Sequence, residues 1–463
     1  MSRLDILLLR NTKNQGIPSF NFLLRKMTAP CYTIKKKRGT SMSKRWYYLL
    51  SSCLAAASFL AVYSCAPKSG AAVSEVAQGD AVSAPSTEGS LAERYPLEAL
   101  TMEQGRSMKP SPTGYGGSVN FQRVELVREI AVNFQGSAFS KDYTEDRSHV
   151  YAWSDLLESK RTSSTTPGAC LSCKTSSIGT IFAEQGWEYA KKPLSEFIGS
   201  PHPGIDCASC HDPATGALRP IQPGFLEAAP KANINLTQAT QRQMQTYVCA
   251  QCHSEYYFEP KTTRVIFPWD KGLGAAPAWQ YYETKPAGFD GDFTHTLSGA
   301  RLLKAQHPDF EEFSGGVHGQ ANVTCADCHL PAITLEGKTV RSHQITSPLL
   351  TIKESCMSCH KGKTEYWLLA QVKTRQDAVY AAQTRAGQAI AEAHQAVAEF
   401  AARKPGSEEL AKAQALLRMA QWFWDYTASA NSMGFHNPVG AMENLSIALE
   451  AAKNASLIAA ASK

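Results

Sequence analysis

The phrase C-x-x-C occurs five times between residues 170 and 360, as "CLSCK", "CASCH", "CAQCH", "CADCH" and "CMSCH". The pairs are Cys170/Cys173, Cys207/Cys210, Cys249/Cys252, Cys325/Cys328 and Cys356/Cys359, followed by Lys174, His211, His253, His329 and His360. C-x-x-C-H is the attachment signature of c-type haem, in which two thioethers hold the porphyrin and the next His ligates the iron. Paired Cys can also hold tetrahedral zinc, but a zinc ribbon has no use for His directly after the second Cys, and here His stands there in four of the five phrases. Five covalent haems therefore constrain the fold more than any side-chain pattern, and one of them meets Lys174 where an iron ligand belongs.

Of the 13 Cys, ten sit in these pairs and the others, Cys31, Cys53 and Cys65, lie near the N-terminus, so none is left for a structural disulfide. Between 110 and 361 Gly, Pro and short polar stretches interrupt the apolar residues repeatedly, which leaves little periodic sequence to close a core by itself. The expected fold class is mainly α: a haem-packed multihaem cytochrome c of short helices and loops, followed by a C-terminal bundle of long helices. After Cys359 apolar residues return every three or four positions, which predicts one long helix ended by "KPGS". Ser407 is then the N-cap of a second helix over 408–429, "NSMGFHNP" breaks the pattern, and a third helix begins near Val439. The long first helix offers a dimer surface, or packs within its own chain.

The net charge of +6 belongs to the N-terminal stretch. Residues 1–64 hold 11 Lys/Arg and the single acid Asp5, which leaves −4 for the rest and gives no support to nucleic-acid binding. A basic run, "KKKRGTSMSKR", precedes the apolar "WYYLLSSCLAAASFLAVYSC", the layout of an export signal. Val62-Tyr63-Ser64-Cys65 resembles a lipoprotein processing site that would lipidate Cys65; ordinary cleavage and an uncleaved anchor are the alternatives. The expected organisation is a leader and export signal over 1–64, a flexible linker over 65–95, a pentahaem catalytic region over 96–361 and the helical region over 362–463.

Low-potential electron-transfer haems usually take a second His, so four His-ligated haems need four imidazoles from outside the phrases. Eight are available: His149, His202, His295, His307, His318, His343, His394 and His436. Composition alone does not choose among them.

The order of one C-x-x-C-K and four C-x-x-C-H, with "CAQCHSEYYF", "KAQHP" at 304–308 and "MGFHNP" near the end, resembles the pentahaem cytochrome c nitrite reductases, the ammonia-forming enzymes of bacterial periplasms. The resemblance covers roughly residues 120–440. It implies five covalently bound haem c, with Lys174 the proximal ligand of an active-site haem whose other face is open to Arg161, Tyr256 and His307. The second haem, of His211, would take His343 as its distal ligand; the third, of His253, His149; the fourth, of His329, His436; and the fifth, of His360, His318. One calcium ion beside the active haem would take Glu255, the carbonyls of Tyr256 and Lys304, and Gln306, an all-oxygen set suited to a hard cation. The family's "RGH" at the third distal ligand reads Arg147-Ser148-His149 here, and Lys160 stands next to Arg161 as a second cation.

The implied activity is dissimilatory reduction of nitrite to ammonium by six electrons, fed by a membrane-bound or periplasmic cytochrome or a quinol-oxidising donor. A homodimer on the periplasmic side, tethered by lipid at Cys65 or soluble, completes that picture. A multihaem electron carrier without catalysis, or a reductase of another small nitrogen or sulfur oxyanion, are the competing readings.

Overall fold

The structure is a computed structural model that describes residues 89–145, 147–199 and 202–461. The expected export signal, Cys65 and most of the linker lie outside the described residues. The fold is mainly α, and the strands among the described residues form three two-stranded antiparallel sheets: Tyr257–Phe258 (β1) with Val265–Ile266 (β2), Phe293–Thr294 (β3) with Arg301–Leu302 (β4), and Ala332–Leu335 (β5) with Lys338–Arg341 (β6). No helix among the described residues is long and apolar enough to cross a membrane.

Helix starts before the boundary expected at 96. Leu91–Arg94 (α1) is closed by a capping box, in which Ser90 Oγ accepts the Glu93 N–H and Glu93 returns a bond to the Ser90 N–H. That S-x-x-E phrase lies in the stretch read as linker, and burial of Leu91 fixes it to the body.

Between 96 and 361 the helices are brief. Ala152–Glu158 (α2), Gln241–Ala250 (α3), Asp309–Gly315 (α4) and Cys325–His329 (α5) are typical. The haem phrases sit on their ends or on single turns. His211, His253 and His360 each donate their backbone N–H to the first Cys carbonyl of their phrase, at 2.8, 2.9 and 2.9 Å. Lys174 differs, since it follows a 3₁₀ stretch, Gly168–Cys173, and its N–H bonds Leu171 instead at 3.0 Å. One apolar core lies here, around Leu171, Ile178, Tyr189, Phe225, Phe267 and Trp269.

The C-terminal part contains Glu365–Arg403 (α6), Glu408–Ser429 (α7) and Pro438–Ala461 (α8), close to the expected limits. Thr364 caps α6 through the Trp367 N–H, and Ser407 caps α7 through the Leu410 N–H. On α6 the buried residues Val372, Val379, Ala386, Ile390, Val397 and Phe400 recur at helical spacing and meet an alanine-rich stripe on α8. In the breaking phrase Gly434 has φ of +73°, and a Cβ there would meet the Val379 side chain at 2.8 Å, so the turn needs glycine twice over. This second core also takes in Phe134, Tyr257, Tyr282 and Leu302 from the earlier segments.

Candidate haem and substrate site

The site is built where two phrases meet. The loop at 304–308 is held from below by α7: Asp425 accepts the Ala305 N–H at 2.8 Å and approaches Lys304 Nζ at 3.1 Å, with Ser429 Oγ 2.9 Å from the same nitrogen. Burial pulls both Lys304 and Asp425 towards neutrality, and Asp425 is raised by it. The Lys304 ammonium also meets the faces of Phe134, Phe139 and Tyr143, and Lys304 is raised by its carboxylate partner against the pull of burial. From the other side Phe310 donates its N–H to the His253 carbonyl at 2.8 Å, tying α4 to the third haem phrase.

The histidines named from the resemblance come together in four pairs. Ring centroids lie 6.3 Å apart for His211 and His343, 5.9 Å for His253 and His149, 6.4 Å for His329 and His436, and 6.2 Å for His360 and His318. Two imidazoles on opposite faces of one metal ion, with bonds of about 2.0–2.1 Å and about 1.1 Å from nitrogen to ring centre, have centroids about 6.3 Å apart. All four pairs fit a bis-imidazole iron. Each motif His thus stands across from the distal His expected for it.

The thiols of different phrases also adjoin. Cys173 lies against Cys252, and Cys249 against Cys325. Cys210 is within electrostatic reach of both Cys249 and Cys252, and Cys328 of Cys356 and Cys359. The third phrase therefore neighbours the first, second and fourth, and the fourth neighbours the fifth.

Around the first phrase the expected residues gather. Burial pushes the Cys170 thiol up to about 11, against the opposing fields of Lys174 and Arg161. Cys173 feels Lys174 and His307. Tyr256, set edge-on to Phe258 at 5.6 Å, has its phenol raised well above the ordinary value by burial, then by the Cys173 and Cys170 thiols, with Arg161 opposing. Arg161 lies over the Phe139 ring at 4.3 Å and 3.7 Å from Asp142, so its guanidinium is aimed before any ligand arrives. His307 donates through Nδ1 to the Asp309 carboxylate at 2.9 Å.

Three of the expected calcium donors, Glu255, Lys304 and Gln306, converge as well. The Glu255 carboxylate accepts the Gln306 N–H at 2.7 Å and the Tyr282 hydroxyl at 2.9 Å. Gln306 turns its amide nitrogen to the Lys304 carbonyl, 3.1 Å away. Burial raises Glu255 well above the usual carboxylate range in spite of those hydrogen bonds. A dication relieves such a buried acid, and turning the Gln306 amide presents its oxygen beside the Lys304 carbonyl, so the residues fit a hard cation.

Three histidines have other work. His202 bonds the Phe197 carbonyl at 3.0 Å and packs on Trp153. His295 and His394 are fully buried and stacked at 3.5 Å, both sharing Ser298. Asp309 is the residue that reading the sequence passed over, although its place two positions after His307 was a signal for it.

A family model described as cytochrome c552 matches residues 88–462. A cytochrome c-552 of Bacteroides thetaiotaomicron is 37% identical over 355 residues, 74% of this chain and 70% of that protein. The cytochrome c nitrite reductase subunit NrfA of Nitratidesulfovibrio vulgaris is 33% identical over 370 residues, 72% of this chain and 71% of its own. Among solved structures, the catalytic subunit NrfA of cytochrome c nitrite reductase from Desulfovibrio desulfuricans, which has two calcium sites, superposes with a TM-score of 0.75 at 29% identity, over 80% of this chain and 85% of the other. The family match runs through every described residue, and the chain belongs to the cytochrome c552 family.

Proposed function

We propose that the chain is a nitrite reductase that forms ammonium, with five haem c groups and one calcium ion. The observation that carries this is the allocation of imidazoles: eight histidines form four facing pairs, and the first phrase ends in Lys174 amid Arg161, Tyr256 and His307. The relatives named as nitrite reductases support the substrate. Lys174, Cys170 and Cys173 hold the first haem; the four His pairs and their Cys hold the others; Glu255, Tyr256, Lys304 and Gln306 hold calcium.

Held by Cys170, Cys173 and Lys174, haem would supply a substrate-binding iron at the first site, and held by the four His pairs it would supply one-electron carriers at the others. Nitrite, six electrons and eight protons give ammonium and two waters, so the protein's task is to hold a small anion and deliver protons. Arg161 provides a fixed cation for the substrate oxygens, and its stacking on Phe139 spares it reorganisation during the reaction. His307, oriented through Nδ1 by Asp309, presents its other nitrogen as a proton donor. Tyr256, whose raised phenol keeps its proton, donates a hydrogen bond rather than accepting one. Glu255 is the residue before Tyr256, so the calcium donors and the catalytic tyrosine move together.

Export to the periplasmic side, lipid at Cys65, a cytochrome or quinol-oxidising donor and a dimer through α6 belong to the same reading. The support for a surface contact is the exposed Tyr366 and Trp367 at the start of α6, just after the fifth haem phrase.

The test uses the fully haem-loaded protein with a reduced dye. Nitrite should be consumed with ammonium as the product, whereas a loaded protein inert to nitrite would leave a plain electron carrier. Lys174→His should retain five haems, because imidazole is the usual ligand, yet turn over at least about tenfold more slowly, the loss typical when groups tuning a metal are changed. Equal turnover would mean that the lysine is not there for chemistry.

A further inference from the structure

One carboxylate joins three of the imidazoles just described. Asp309, the first residue of α4, is 6% exposed. Its Oδ2 lies 2.9 Å from Nδ1 of His307 and 3.6 Å from Nδ1 of His253. Its Oδ1 lies 3.4 Å from Nδ1 of His436 and accepts the Asn431 N–H at 2.9 Å. The rings of His253 and His307 meet edge to face at 4.4 Å. Backbone bonds fix the arrangement, with the Asp309 N–H on the His307 carbonyl and the Phe310 N–H on the His253 carbonyl, both at 2.8 Å.

The other haem histidines whose Nδ1 partners are seen use neutral acceptors. His211 faces the Gly216 carbonyl at 2.7 Å, His329 the Thr346 carbonyl at 3.0 Å and His343 the Arg341 carbonyl at 2.9 Å. A carboxylate in that position does more than a carbonyl. At 3.6 and 3.4 Å it acts on His253 and His436 as a close negative charge, which favours the oxidised ion. A negative charge among the third, fourth and substrate sites also stabilises the ferric state of both haems by direct attraction.

We propose that Asp309 is a positioning residue that sets the potentials of the third and fourth haems through His253 and His436 while holding His307 at the substrate. The proposal rests on the haem assignment of the proposed function. Its consequence is that the electron route and the proton donor share one anchor. The third phrase neighbours the first, so one of the two haems whose potential Asp309 governs is next to the reaction.

The experiment is a spectropotentiometric titration of the haem-loaded Asp309→Asn and Asp309→Ala variants without nitrite, followed by steady-state kinetics. In both, two of the five midpoint potentials should rise, by about the equivalent of a tenfold change in the oxidised-to-reduced ratio, ~59 mV for one electron. The other three should stay in place. The Asn variant still accepts a bond from His307, so kcat should fall less in it than in the Ala variant, with KM little changed in either. Five unmoved potentials would overturn the proposal, even with activity lost, because a merely structural role predicts that pattern. If neither variant loads five haems, His307→Ala decides: with one partner gone the carboxylate serves His253 and His436 alone, and the same two potentials should fall, whereas unchanged values refute the shared anchor. Since the potentials are read without substrate, a wild-type protein that ignores nitrite would overturn the reading of function and not this one.

Discussion

Between residues 96 and 361 no described helix exceeds the ten residues of α3, whereas the last hundred residues hold helices of 39, 22 and 24. Helices that short are marginal in water unless something packs against them. In α6–α8 that something is the chain itself, through Val379, Ile390, Phe400, Trp424 and the alanines of α8. In the earlier region a side-chain core around Leu171, Tyr189, Phe225 and Trp269 is joined by caps and turns that surround paired Cys and facing His, so porphyrin adds to the packing there. The difference teaches that one chain uses two kinds of core: a side-chain core that specifies itself, and a mixed core in which side chains and cofactor pack together.

The largest effect should come from removing the central cofactor. Cys249→Ala with Cys252→Ala takes away the attachment at the third phrase, which neighbours the first, second and fourth. Amide exchange should then show local opening free energies near ~0 kcal/mol across the short helices, with protection kept in α6–α8. Equal loss in both regions would break the comparison, since it would mean that the long helices also depend on haem.

Legibility followed the same division. The attachment Cys and the residues after them could be read because they are spelled by adjacent letters, the distal partners came only from the family resemblance, and the long helices were legible because apolar spacing, Ser407 and "KPGS" are local signals. The expected 408–429 helix is found at Glu408–Ser429, and the third begins one residue before Val439. What could not be read were contacts between distant segments. Lys304 and Asp425 are 121 residues apart, and the His295–His394 stack joins a hairpin to α6. Asp309 reads in sequence as an ordinary acid in a helix's first turn, where it suits the dipole. Only the fold brings His253 and His436 to it. The capping box at Ser90 was a local signal, but the Ala/Ser/Gly-rich composition before it masked the start of order.

Next in size is the joint between the two cores. Asp425→Ala leaves the Lys304 ammonium buried without its counter-ion and the Ala305 N–H without its acceptor. Truncating one partner of a buried pair costs about 3–5 kcal/mol. The melting temperature should fall, and activity with it, since the loop that carries Gln306 and His307 loses its support. A variant that keeps stability but loses activity would show that α7 serves the site and not the fold.

The smallest effect compares one kind of cap in the two regions. Ser407 Oγ accepts the Leu410 N–H at 3.2 Å at the start of a 22-residue helix, and Thr324 Oγ1 accepts the Asp327 N–H at 3.3 Å at the start of the five-residue α5. Either change to Ala removes one acceptor, worth about 1 kcal/mol. In α7 the loss is spread over a helix whose buried face already holds it, and Glu408 and Glu409 still favour its N-terminus. Ser407→Ala should therefore lower the melting temperature by a few degrees and leave haem content and turnover alone. Thr324 sits directly before Cys325, and Asp327 returns a bond to its N–H at 2.8 Å, so the cap shapes the attachment turn itself. Thr324→Ala should show a similar loss of stability together with less haem at the fourth site, seen as a mass deficit of one haem in part of the purified protein. If both variants load five haems equally, the cap in α5 is ordinary helix chemistry, and the short helices need less help from their cofactors than their length implies.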